Sequence, residues 1–136
     1  MRFQTIVVGA IFYTLVTSIL SIVWHVVLPG QHHATLNLFT QDYALSAGLG
    51  IVFLQGLVLS FFYPYVKFPG RFIQRGLKFS LVVGLIYWVF TAPWILADTQ
   101  SSVNIESMWW QSLFLCLQFS LFGIAIGTLY HQLTRK

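Results

Sequence analysis

The sequence predicts an all-α fold, a four-helix transmembrane bundle running up-down-up-down with both termini cytoplasmic. Three observations predict it. Hydrophobic residues make up 57% of the 136 residues and charged residues only 7%, whereas a soluble domain carries roughly 25% charged residues to cover its surface. The apolar residues gather into four stretches, each near the roughly 20 residues a helix needs to cross a bilayer. The charges are sorted by sign between alternate connections, with every basic residue on one set and every acidic residue on the other.

The first span is expected over Thr5–Leu28 and is stopped by Pro29-Gly30. Its length exceeds the roughly 7–15 residues of a signal-peptide core, so it is expected to stay as a helix. The second span runs over Tyr43–Tyr63 and ends at Pro64, the third over Gly76–Ala97, and the fourth over Met108–Tyr130. Lys78 sits at the start of the third, and no span carries an acid or a base in its interior. A charge at a helix centre would cost roughly 2.5–3.5 kcal/mol. No low-complexity tract divides the chain, so residues 1–136 are expected to form a single integral membrane domain. Pro93, in the last turns of the third span, is expected either to kink that helix or to end it.

Orientation follows from lysine and arginine. With four spans, Arg2, the Tyr63–Lys78 turn and the tail Arg135-Lys136 share one side; Asp42, Asp98 and Glu106 share the other. The expected location is the plasma (inner) membrane, N-in and C-in. Lys67, Arg71, Arg75 and Lys78 all fall in the Tyr63–Lys78 turn, and anionic lipid headgroups are their expected partners. A net charge of +4, this localised, does not point to nucleic acid. Trp24, Trp94, Trp109 and Trp110 fall near the outer helix ends; Tyr63, Tyr65, Phe68, Phe72 and Tyr130 fall near the inner ones. Amphipathic rings prefer such interfacial positions.

Lipid tails are as apolar as leucine, so small and polar residues mark the packed faces. Ala10, Thr14, Thr17, Ser21 and His25 form such a stripe in the first span. Gly48, Gly56 and Ser60 mark the second, and Gly76, Ser80, Gly84, Tyr87, Thr91, Trp94 and Asp98 the third. The fourth carries Ser112, Cys116, Ser120, Gly123, Gly127 and Tyr130. The four stripes are expected to converge. Gly123 and Gly127 read as close helix packing. Gln55 and Gln118 lie at mid-span, where an unpaired amide is costly. Gln118 lies nearly opposite its own helix's small-residue stripe, which predicts a second contact for that helix: a neighbouring subunit, or Gln55 of the same chain.

Candidate chemistry is sparse. His25, Asp98 and Glu106 on the outer side are the candidate catalytic groups, with His25 and Asp98 continuing two polar stripes toward each other. His32 and His33 are candidate metal ligands, but adjacent loop histidines lack the spacing of known zinc sites. His25 and His131 lie at opposite ends of the core, about 30 Å apart, which is too far to share a haem. No nucleophile elbow, phosphate loop or dinucleotide fingerprint is present, and Cys116 stands alone. No cofactor is expected. The leading reading is an accessory, assembly or stabilising subunit of a larger membrane complex, with the bilayer and other membrane subunits (or a second copy) as partners. A binder or carrier of a lipid or hydrophobic small molecule is the alternative, and an outer-face His/carboxylate enzyme ranks third.

Overall fold

A backbone in hydrocarbon must satisfy its own hydrogen bonds, and helices do so within one segment. The computed structural model describes residues 3–24, 42–97 and 105–134, with side chains over 3–24, 46–93 and 108–133. It contains four helices: α1 (Phe3–Ile22), α2 (Asp42–Phe62), α3 (Phe72–Ala97) and α4 (Ile105–Thr134). All four are long and apolar enough to cross a membrane. Helices account for most of the described residues, as the composition requires, and no strand occurs among them.

Helix boundaries depart from the apolar runs where local chemistry intervenes. α2 tightens into a 3-10 turn at Tyr63–Tyr65, where Pro64 can donate no backbone bond. α3 begins at Phe72, four residues before the apolar run at Gly76. Its start is set by a cap: Arg71 N donates to Gln74 Oε1 at 3.0 Å, and Arg75 N donates to Arg71 O at 2.9 Å. The glutamine sits three residues past the cap and reaches back, which is half of a capping box. Gly70, at φ +129°, makes the turn that delivers the chain there, a conformation disfavoured for residues with a side chain. α3 also runs through Pro93 to Ala97, so the proline does not end it. α4 extends past the expected Met108–Tyr130 at both ends.

The buried and exposed positions follow the logic of a lipid solvent. Phe90, Trp109, Ile51 and many other large apolar residues are exposed, while glycine, serine and threonine line the seams. α4 is the central element and carries most of the core, including Phe114, Phe119, Phe122 and Ile126. α1 packs against both α2 and α4, and α4 packs against α3. The four small-residue stripes therefore do not meet at one axis. α2 and α3 are joined by a short connection yet are not packed along their length.

The seams are close. At Gly56, an added Cβ would lie 3.0 Å from the Ala10 backbone and 3.1 Å from Tyr13 Cβ. At Gly9 it would meet Ser60 and lie 3.8 Å from Leu129. Tyr13 packs edge-on to Phe122, with ring centroids 4.8 Å apart. Trp24 packs against Trp110 and Phe114. Between α3 and α4, Gly76 lies on Gly123 and Gly127, Gly84 on the Phe119 ring, and Trp88 on Ser112.

Not every stripe residue turned inward. Gly48 is exposed, with nothing within 4 Å of an added Cβ. Tyr87 and Cys116 are exposed as well. In lipid a small or polar residue can stand outside at little cost, so a stripe does not by itself define the buried face.

Candidate functional site

Three clusters of polar side chains occur among the described residues. The first is at mid-span. Gln118 is buried on α4, and its Nε2 donates to Tyr13 Oη at 3.1 Å and to Thr17 Oγ1 at 3.0 Å on α1. An amide nitrogen has two protons, so both are engaged. Gln118 thus bonds to α1 rather than to Gln55, which is half-buried on α2. The second contact anticipated for α4 exists inside the chain: Gly123 and Gly127 face α3, and Gln118 faces α1.

The second cluster is at the end of the bundle where α2 and α3 are connected. In a helix, Ser60 O would accept from the nitrogen four residues on, which is Pro64 and has no proton. Tyr130 Oη of α4 donates to that carbonyl instead, at 2.6 Å. Tyr63 stands edge-on to both Phe79 and Tyr130, at 5.3 and 4.9 Å. Phe72 and His131 stack face to face, 4.2 Å apart and 1° from parallel. Two buried polar atoms here have no hydrogen-bond partner, Ser60 Oγ and Arg75 Nε. Ser60 Oγ is pressed onto Gly9, a placement suited to a weak Cα–H···O contact.

The third is a lipid-facing groove of about 350 Å³ between α3 and α4, lined by Leu81, Gly84, Leu85, Trp88, Cys116 and Phe119 among others. Its indole and hydroxyl groups are already engaged. Trp88 Nε1 donates to Ser112 Oγ at 2.9 Å, and Ser112 Oγ donates to Met108 O at 2.7 Å. What remains facing the groove is apolar.

Of the residues singled out in the sequence, Gly123 and Gly127 are buried at the α3 seam. A Cβ at Gly123 would lie 2.8 Å from Gly76 O and 2.9 Å from Leu77 Cα. Lys67, Arg71 and Lys78 are exposed and Arg75 is half-buried, all at the α2–α3 connection. Lys78 Nζ donates to Pro69 O at 2.9 Å, so one of its protons ties down the turn. His25, His32, His33 and Asp98 lie outside the described residues, as does the side chain of Glu106. Among the described residues, no group of three or more His, Cys, Asp or Glu comes together as metal ligands.

Tyr13 and Tyr130 were not anticipated as bonding groups. Only Tyr130 left a trace in the sequence: a proline four residues after Ser60 frees a carbonyl that some donor must meet. Comparison with protein-family models, with characterised proteins and with solved structures finds no match for the chain.

Proposed function

We propose that the protein is a non-enzymatic accessory, assembly or stabilising subunit of a larger membrane complex. The observation that carries this reading is where the interior polar groups go. Gln118, Tyr13, Thr17, Tyr130, Trp88 and Ser112 all bond between helices. Polar side chains used in this way set helix geometry rather than present reactive groups to a ligand. The working surface is then the lipid-facing exterior, where neighbours would dock.

The topology proposed with it is up-down-up-down, in the plasma membrane, with both termini and the Tyr63–Lys78 turn cytoplasmic. Paired contacts support the alternation: Gly9 lies near Leu129, Tyr13 near Phe122, and Trp24 near Trp110, so α1 and α4 pair end to opposite end. The segregation of Lys and Arg from Asp and Glu supports the sidedness.

The α3–α4 groove favours a second reading, a binder of a lipid or hydrophobic small molecule, because its lining offers apolar contact with no unengaged donor at Trp88 or Ser112. Affinity purification of the tagged full chain from native membranes in mild detergent separates the two. A stoichiometric membrane assembly is the expected result. A monodisperse protein carrying only lipid or another apolar molecule would overturn the subunit reading in favour of the second.

A further inference from the structure

The α2–α3 connection holds one buried cationic donor without a partner among the described residues. Arg75 Nε is buried and has no hydrogen-bond partner, and a charged donor left so is costly. None of the acidic side chains in the sequence can reach it. The chain has three acidic residues. At 1.5 Å rise per residue, Asp42 lies about 30 Å and Ala97 (the residue before Asp98) about 37 Å along their helices from the ends joined here. Glu106 is similarly far along α4 from His131, which stacks on Phe72 at this end. No acidic side chain of the sequence therefore supplies the counter-charge.

Its chemistry can be argued from the surroundings. Tyr63 lies within electrostatic reach of Arg75. The side-chain contacts of Tyr63 among the described residues are ring contacts, which leave its hydroxyl as a donor. The Nε–Nη edge of a guanidinium presents two parallel donors that match two oxygens of a phosphate. Phe61, Phe62 and Tyr65 are exposed just before the connection, an apolar flank that acyl chains would cover and a soluble anion would not. Lys67 and Arg71 are exposed nearby, whereas Lys78 is tied to Pro69 O.

We propose that Arg75 and Tyr63 bind one phosphate of an anionic phospholipid, with Lys67 and Arg71 adding charge at the rim. This deepens the headgroup assignment of the basic turn and rests on that turn lying at a membrane surface. It differs from diffuse attraction in making one guanidinium dominant.

The test is native mass spectrometry of the full chain from lipid nanodiscs, comparing phosphatidylglycerol with phosphatidylcholine. Wild type retains phosphatidylglycerol preferentially. Arg75→Gln weakens that retention about tenfold, as expected for losing a charge-assisted hydrogen bond. Arg75→Lys, which keeps the charge but loses the paired donors, falls between, and Tyr63→Phe loses a smaller factor. Lys67→Gln and Arg71→Gln each change it less than Tyr63→Phe.

The proposal is overturned if Arg75→Gln retains phosphatidylglycerol as wild type does, or if Lys67→Gln and Arg71→Gln weaken it equally. It is also overturned if millimolar inorganic phosphate displaces the lipid, which would mark a site for a soluble anion. Circular dichroism checks folding, and Arg75→Lys with Tyr63→Phe carries the test should Arg75→Gln unfold. Nanodiscs expose both leaflets, so the outcome is independent of which side the turn faces. Labelling of Lys67→Cys in intact cells tests sidedness separately.

Discussion

Gly76→Ala offers the sharpest test of the α3–α4 seam, because two effects of known size oppose each other there. Alanine is the better helix former by about 1 kcal/mol. Against this, the added Cβ would run into Gly123 O and lie 3.0 Å from both Gly127 Cα and Gly127 N. All three are backbone atoms, so no side chain can swing away and the helices must separate. A gap of about 1 Å forfeits a quarter to a half of each dispersion well; for roughly forty atom pairs at about 0.15 kcal/mol each, the loss is about 1.5–3 kcal/mol.

The clash wins, and Gly76→Ala is expected to destabilise by about 0.5–2 kcal/mol net. Gly50→Ala is the matched control, since nothing lies within 4 Å of its added Cβ; it should be neutral or slightly stabilising. Unfolding in mixed micelles, followed by tryptophan fluorescence, measures both. A Gly76→Ala variant as stable as Gly50→Ala would refute the close seam.

Gln118→Leu removes both bonds to α1 and should cost about 1–2 kcal/mol, at roughly 0.6 kcal/mol per interhelical bond and upward. In a double-mutant cycle with Tyr13→Phe, the two costs should add to less than their sum, and full additivity in the same unfolding assay would show that the pair does not interact. Tyr130→Phe should cost about 1 kcal/mol by orphaning Ser60 O. That cost should shrink in a Pro64→Ala background, where residue 64 regains a backbone proton for Ser60 O; an undiminished cost would locate the role of Tyr130 elsewhere.

The sequence by itself determined the class of the fold. Uncharged runs of spanning length leave a chain no other stable home, and the four helices sit where those runs are. It also identified Gly123, Gly127 and Gln118 as packing residues, since an amide or a bare backbone in hydrocarbon must face protein. Helix ends were less legible: the start of α3 depends on Gln74 capping Arg71, which apolar counting does not register.

Only the tertiary structure decided which helices touch. Lipid and protein interiors are almost equally apolar, so a stripe of small residues marks a face that can pack without naming its partner. Gln118 could have met Gln55 or another chain, and it is the position of α1 against α4 that gives it Tyr13 and Thr17. The clip from Tyr130 to Ser60 likewise joins residues 70 apart in the chain, a pairing that no local pattern encodes. The same holds for Arg75, one of four basic residues alike in sequence, which becomes distinct only when folding buries its Nε.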